Sequence, residues 1–284
     1  MKKNILVTGA NGYIGSHITS ELIKKDSFNV IATDFNNNNI DKKAAFIKCD
    51  ILNEAQNENL YEKLNKPNII LHLAWKDGFN HNSINHIKDL SSHFLFLKNL
   101  IDKGSNHIAL AGSFREYGKC KGKVSESHLS NGDNLYALAK SSLYKALEIY
   151  FKNENVVLQN LRFFTPYGDD EKNNSILSKI LTWEKEGKKS FPFTEGKEQY
   201  DYIHIDELTK QVIATISQNK INGIINICSG YPTSLKEMVE KFLKENNLKI
   251  KPEYGAFKTR EYDSSIIFGD KEKITKILEE YNEK

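Results

Sequence analysis

Ser113, Tyr136 and Lys140 are the side chains of this 284-residue chain whose types and spacing suit proton transfer. A phenol with an ordinary pKa near ~10 is a poor base at neutral pH, and an ammonium beside it favours the anion. Tyr136-x-x-x-Lys140 places the two one turn apart if residues 135–153 form a helix, which the apolar positions Ala139, Leu143, Leu147 and Tyr150 predict. Ser113, within Ala111-Gly-Ser-Phe-Arg-Glu-Tyr117-Gly118, offers a hydroxyl to hold a substrate oxygen and share the proton, provided a strand ending there sets it beside the helix. Spacing alone does not carry this reading, because a tyrosine and a lysine on one helix face are most often a packed ring beside a solvated amine. The start of the chain changes the balance.

Residues 5–8 are a short apolar run, read as a buried strand, that leads into Gly9-Ala-Asn-Gly12-Tyr-Ile-Gly15 and then a helical pattern of Ile14, Ile18, Leu22 and Ile23. Strand, glycine turn and helix in that order make a phosphate site: the glycines let backbone approach a pyrophosphate, and the helix start offers N–H groups and a positive dipole end. The next strand, residues 29–33, ends at Asp34, nineteen residues beyond Gly15. A carboxylate there accepts both ribose hydroxyls and repels a 2′-phosphate, which favours NAD; Lys42 and Lys43, close by, keep NADP as the alternative. Further strands at residues 45–49, delivering Asp50-Ile51, and 68–73, running into His72-Leu-Ala-Trp75, alternate with helices expected at 53–64 and 84–103. That alternation predicts an α/β fold of Rossmann type, a doubly wound parallel sheet with helices on both faces and functional groups at the strands' carboxyl ends.

Composition sets the outer bounds. A hydrophobic content of 39% suffices for a sizeable core, and a net charge of +3 argues against a nucleic-acid groove while leaving an anionic small molecule open. Cys49, Cys120 and Cys228 are scattered, without a Cys-x-x-Cys, so a reduced cytoplasmic protein is expected. His81, His86 and His93 lack the spacing of a facing ligand pair and read as core or solvated residues, so no metal site is expected. The amino terminus turns to Gly9 too soon for a signal peptide, and no apolar run approaches membrane-spanning length.

Thr8-Gly-Ala-Asn-Gly-Tyr-Ile-Gly15, Asp50-Ile51, Leu71-His-Leu-Ala74, Ser113 with Tyr117-Gly118, and Tyr136-x-x-x-Lys140 together resemble the extended short-chain dehydrogenase/reductase superfamily, in its sugar-nucleotide epimerase/dehydratase branch, over residues 5–270. By that resemblance Ser113, Tyr136 and Lys140 are catalytic: Tyr136 is the acid/base, Lys140 binds the nicotinamide ribose and biases Tyr136, and Ser113 orients the sugar oxygen. The resemblance puts cofactor contacts on Gly9, Asn11, Gly12, Tyr13, Ile14, Gly15 and Asp34, on Asp50 and Ile51 at the adenine, on Leu73, Ala74 and Trp75, and on Tyr136, Lys140 and Phe163. It also implies residues 1–164 as the dinucleotide-binding domain and 165–284 as an interleaved substrate lobe, with part of 188–228 returning to the first, and a homodimer through the fourth and fifth helices.

Departures from the family pattern narrow the reaction. Arg162-Phe-Phe-Thr-Pro-Tyr-Gly168 carries Thr165 and Asp169 where the family has asparagine and proline, and an amide's second hydrogen bond is thereby lost. Tyr200 stands in place of an arginine that grips the substrate diphosphate in many relatives, so Arg260 becomes the candidate cation; Thr165, Tyr200 and Arg260 are the expected substrate contacts. Asp89-Leu-Ser-Ser-His93 replaces Asn-Val-x-Gly-Thr, and Phe191-Pro-Phe193 near Lys197 suggests a clamp for the base. The dehydratases' Asp-Glu pair is replaced by Phe114 and Arg115, and Cys120 has no partner for 3,5-epimerisation. What remains is hydride exchange at one carbon. The pattern is nearest that of nucleotide-sugar 4-ketoreductases, acting on the C4 ketone of a nucleotide-linked 4-keto-6-deoxyhexose or in reverse, within polysaccharide biosynthesis. A 4-epimerase with tightly held NAD is the alternative, and a silent dinucleotide-binding protein the third reading.

Overall fold

Strands that are covered on both faces must be apolar almost throughout, and the first strands of this chain are. In the computed structural model, which describes residues 2–168, 175–258 and 263–283, β1 (Lys3–Thr8) buries its last four residues and β4 (Ile69–His72) buries all four. With β2 (Phe28–Asp34), β3 (Ala45–Lys48), β5 (His107–Ser113), β7 (Val157–Phe163) and β11 (Gly223–Ile227) they form one parallel sheet in the order β11-β7-β5-β4-β1-β2-β3. Strand order reverses between β1 and β4, the place where such a sheet opens a crevice at its carboxyl ends.

One face of the sheet is covered by α1 (Tyr13–Ile23), α7 (Ile205–Ile216) and α9 (Glu272–Asn282), through Ile18, Leu22, Leu208, Val212, Ile274 and Ile277. The other is covered by α2 (Leu60–Lys63), α4 (Leu90–Asp102) and α5 (Leu135–Tyr150), through Leu60, Phe96, Leu97, Leu143 and Leu147. α3 (Asn85–Lys88) is a single turn before α4. Two expected helices are therefore shorter than their sequence pattern. Over 53–64 the polar side chains take the backbone instead: Leu52 and Asn53 N–H donate to Asp50, and Asn59 N–H donates to Asn57. Over 84–103 the first turn is anchored separately, by Ser83 Oγ and Asn85 Nδ2 donating to Asp77.

The remaining elements build a smaller lobe. β6 (Lys121–Val124), β10 (Gln199–His204), β12 (Pro232–Ser234) and β14 (Ile266–Gly269) form a sheet in the order β12-β10-β14-β6, with β8 (Thr165–Tyr167) on β10. β9 (Ser190–Pro192) pairs with β13 (Lys251–Glu253), and α6 (Ile176–Lys185) and α8 (Leu235–Glu245) close a core of Leu177, Ile180, Phe191, Phe193, Met238 and Phe242. Phe191 and Phe193 are thus not a base clamp: both rings are buried, against Trp183 and Tyr254. The chain crosses between the two bodies more than once, since β6 lies in the small sheet and α7, β11 and α9 lie on the large one. Asp201, fully buried on β10, ties the crossing points together by accepting from Ser229 N (2.8 Å), Gly230 N (2.8 Å) and Gly269 N (3.1 Å). Among the described residues no helix is long and apolar enough to cross a membrane.

Candidate active site

The turn after β1 is built for close approach. Gly9 sits at φ +67°, where a Cβ would lie 2.7 Å from Ala74 N, and a Cβ on Gly15 would lie 2.1 Å from the Gly9 carbonyl. Gly12 precedes α1 without any side-chain cap, so Tyr13, Ile14 and Gly15 open the helix with N–H groups facing outward from the turn. At the end of β2, Asp34 accepts from Asn11 N (3.0 Å) and Phe35 N (2.8 Å), and Asn39 folds back onto Asn11 with bonds of 2.8 and 3.1 Å. Each oxygen of Asp34 keeps a lone pair for a hydroxyl. Glycine cradle, uncapped helix and carboxylate in this order fit a dinucleotide. Asp50 is engaged on its own turn, through Leu52 N, Asn53 N and Asn53 Nδ2, while Ile51 is buried in the second face's core.

The catalytic candidates converge at the carboxyl ends of β4 and β5. Ser113 is the last residue of β5 and pairs in register with Phe163 of β7; Asn134 caps α5 by accepting from Ala137 N at 3.0 Å, which fixes where Tyr136 and Lys140 emerge. Tyr136 N–H donates to the His81 carbonyl at 2.9 Å. Lys140 Nζ donates to the Ala111 carbonyl at 2.6 Å and lies 4.3 Å from the Trp75 ring centre and 5.4 Å from that of Tyr136. Leu73 and Ala74 follow β4, their N–H groups bonded to Thr8 O and Thr8 Oγ1.

Electrostatics here differ from the simple expectation that Lys140 draws the phenol's pKa down. Burial pushes Tyr136 up to about 12, reinforced by the Glu116 carboxylate and opposed by Ser113 and Arg115. Burial lowers Lys140 to about 8, with Glu116 working against it. Desolvation dominates both shifts: Tyr136 stays a neutral phenol, and Lys140 is still an ammonium at pH 7 but closer to losing its proton.

Several neighbours escaped the sequence reading. Thr8 Oγ1 and His72 Nδ1 share a hydrogen bond of 3.0 Å, as do His72 Nε2 and His93 Nδ1 at 2.9 Å. Burial holds His72 well below the ordinary histidine range and His93 at about 3, so both are neutral. Trp75 Nε1 donates to His86 Nδ1 at 3.0 Å, which leaves His86 Nε2 to donate to the Asn80 carbonyl at 2.9 Å. His81 lies face to face with Tyr136, ring centres 5.5 Å apart. Histidines 81, 86 and 93 are all buried; the first two wall the tyrosine, and His93 stacks on Trp75 behind it. Glu116, fully buried behind Ser113, did leave a mark in the sequence, the Ser-x-x-Glu cap pattern.

On the substrate side, Tyr200 packs against Phe114, ring centres 6.1 Å apart, which brings the smaller lobe to the residue after Ser113. Thr165 lies on β8, paired with Tyr202. Arg115 forms an ion pair with Asp263 at 2.9 Å. Arg260, like Asp169, lies outside the described residues.

A Rossmann sheet with a glycine turn, an acidic residue closing β2, and a serine, tyrosine and lysine at the crevice define a dinucleotide-dependent oxidoreductase of the tyrosine–lysine type. The chain belongs to the NAD dependent epimerase/dehydratase family, whose model matches residues 5–228. It is 38% identical over 272 residues to dTDP-6-deoxy-L-talose 4-dehydrogenase (NAD(+)) of Aggregatibacter actinomycetemcomitans, covering 94% of this chain and 100% of the relative. To the dTDP-4-dehydro-6-deoxyglucose reductase of Escherichia coli it is 25% identical over 255 residues, 84% of this chain and 80% of the relative. The fold is similar to that of UDP-glucose 4-epimerase of Thermotoga maritima, with a TM-score of 0.84 at 21% identity, over 96% and 91% of the two chains.

Proposed function

We propose that this protein exchanges hydride between NAD and carbon four of a nucleotide-linked sugar, reducing the ketone of a 4-keto-6-deoxyhexose or oxidising the corresponding alcohol. The observation that carries the reading is the convergence of Ser113, Tyr136 and Lys140 at the carboxyl ends of β4 and β5, beside the glycine turn. Bound between the glycine turn and Asp34, NAD supplies the redox chemistry. Ser113 orients the sugar oxygen, Tyr136 gives its proton to that oxygen as negative charge develops or takes it back in the reverse direction, and Lys140 holds the nicotinamide ribose. Phe114 and Arg115 supply no carboxylate pair for elimination, and the two relatives named above act by redox change at a 6-deoxysugar's carbon four.

A 4-epimerase is the second reading, favoured by a 27% identity to a putative UDP-glucose 4-epimerase of Methanocaldococcus jannaschii. The two are separated by mass spectrometry of dinucleotide released from freshly purified protein, followed by NADH absorbance with a panel of nucleotide-linked 4-keto-6-deoxyhexoses. Stoichiometric NADH consumption on one sugar is expected; NAD retained near one per chain with no net redox change assigns an epimerase instead. Tyr136→Phe should lower turnover by roughly 10²–10⁴-fold while leaving NAD affinity within a few-fold, and turnover equal to wild type would remove Tyr136 from the mechanism.

We place the protein in the cytoplasm, as its three unpaired cysteines favour, in nucleotide-sugar metabolism that feeds polysaccharide biosynthesis. We also propose a homodimer through α5, where Leu138, Ile149 and Tyr150 are exposed and the first two lie three turns apart on one side.

A further inference from the structure

Glu116 is a fully buried carboxylate with no assigned part in the chemistry above. One oxygen accepts from Ser113 N at 2.7 Å; the other accepts from Asn160 Nδ2 at 2.9 Å and Arg162 Nε at 3.3 Å. Ser113 Oγ in return accepts from Arg115 N at 3.2 Å, so serine and glutamate cap one turn reciprocally. The approach requires a bare neighbour: a Cβ on Gly112 would lie 2.3 Å from Asn160 Oδ1 and 2.8 Å from Glu116 Oε1. Arg162, itself fully buried, stacks 4.1 Å from the Tyr117 ring and donates to Ser130 Oγ.

We infer that Glu116 is a positioning residue for the Ser113–Tyr136–Lys140 centre, fixing the Ser113 backbone through the cap and presenting a fixed negative charge to the phenol and the ammonium. This rests on the functional reading above. The groups facing Tyr136 are Ser113, Arg115 and Glu116 from the turn, Lys140 from its own helix, and His81, His86 and Trp75 from the wall opposite. Those facing Lys140 are Glu116, His72, His93 and Trp75. Among the described residues Glu116 is the one carboxylate that raises both Tyr136 and Lys140. Arg162, paired with Glu116 at 3.3 Å, offsets part of that charge: at Tyr117 and Tyr144 the two act in opposite directions, whereas at Tyr136 and Lys140 the carboxylate prevails. In a buried site such a charge is weakly screened. Glu116 thus opposes the loss of Lys140's proton that burial favours, and keeps the phenol a donor.

The test is a titration of Lys140 by NMR in protein carrying isotope-labelled lysine, with the resonance assigned through Lys140→Arg. Glu116→Gln leaves Arg162 buried opposite an amide, which threatens folding; Glu116→Gln/Arg162→Met removes both charges and keeps the measurement available. The wild-type midpoint is expected at about 8, lowered from the ordinary lysine value by burial. In folded Glu116→Gln it should fall by roughly one pH unit, and by less in the double variant, which also loses the offsetting cation; the alkaline limb of NADH-dependent turnover should move the same way. A purely structural glutamate would lower turnover without moving either midpoint, so a folded double variant that titrates like wild type overturns the inference. If the wild type turns over no nucleotide-linked sugar, the functional reading fails, and the Lys140 midpoint still decides the role of Glu116.

Discussion

Lys140 carries its ammonium into a site where 7% of the residue remains exposed, with a carbonyl and an aromatic face for neighbours and, among the described residues, no ion pair. Its pKa is lowered from 10.5 to about 8, chiefly by burial. At ~1.36 kcal/mol per unit, holding the charged form in the folded state costs on the order of 3 kcal/mol. The unfolded chain binds this proton more tightly, so the contribution to stability rises as pH climbs from 8 towards 10.5 and is lost as pH falls through 8. Lys140→Met removes the charge at all pH values. At pH 7 the variant should be at least as stable as wild type even after losing the bond to Ala111, though inactive. Between pH 7 and pH 9 the wild type should recover about 1 kcal/mol of the difference, roughly 2 °C in Tm. Urea unfolding of both proteins at the two pH values gives the quantity directly, because Tyr136 and the buried Cys49, whose pKa values burial raises, titrate in both and cancel. A stability difference that does not change between pH 7 and pH 9 would refute the claim that burial dominates this site.

Two predictions concern the dinucleotide cradle. Gly15→Ala sets a Cβ 2.1 Å from the Gly9 carbonyl, a backbone atom that cannot rotate away; the turn must open, costing roughly 1–3 kcal/mol and at least about tenfold in NAD affinity. Calorimetric titration giving wild-type affinity would show that the turn does not contact the pyrophosphate. Asp34→Asn keeps an oxygen for Asn11 N while deleting the charge. The preference for NAD over NADP should drop by roughly tenfold or more, and a preference unchanged in paired titrations would put discrimination elsewhere, with Lys42 and Lys43 next in line.

The glycine turn, Asp34 and the catalytic helix were legible because each depends on local order: a short apolar strand, a fixed glycine spacing and a repeat of about one turn. The surroundings of Tyr136 and Lys140 were not. His72 and His93 lie 21 residues apart and meet only when β4 and α4 pack, so no spacing announces the pair. Histidines 81 and 86 sit in a segment held by Asp77, Ser83 and Asn85, with no apolar period to give its path away. Glu116 carried its cap signature openly, but a four-residue turn has no periodicity, and nothing in Ser-x-x-Glu says that the carboxylate will be buried against Arg162 from a strand 46 positions on. The opposite error occurred at Phe191-Pro-Phe193, where two aromatic rings beside a lysine suggested recognition and served packing.

These buried groups bear on which direction the centre favours at rest. With the Tyr136 pKa pushed up to about 12, forming the phenolate at neutral pH costs on the order of 7 kcal/mol. A proton donor is therefore ready without reorganisation, as ketone reduction requires. Alcohol oxidation asks the same phenol to part with its proton first, and the groups that favour this are Arg115, Ser113 and the ammonium of Lys140. Arg115 is already matched by Asp263, and Lys140 points its bond at Ala111 rather than at the phenol. The positive charge that would make Tyr136 a base is thus partly committed elsewhere, and the charge on Glu116, held by hydrogen bonds from Ser113, Asn160 and Arg162, is itself partly offset by Arg162. Protonated at rest, Tyr136 suits the proton-donating step of reduction, and giving up that proton in the reverse direction depends on the charge that the bound dinucleotide brings.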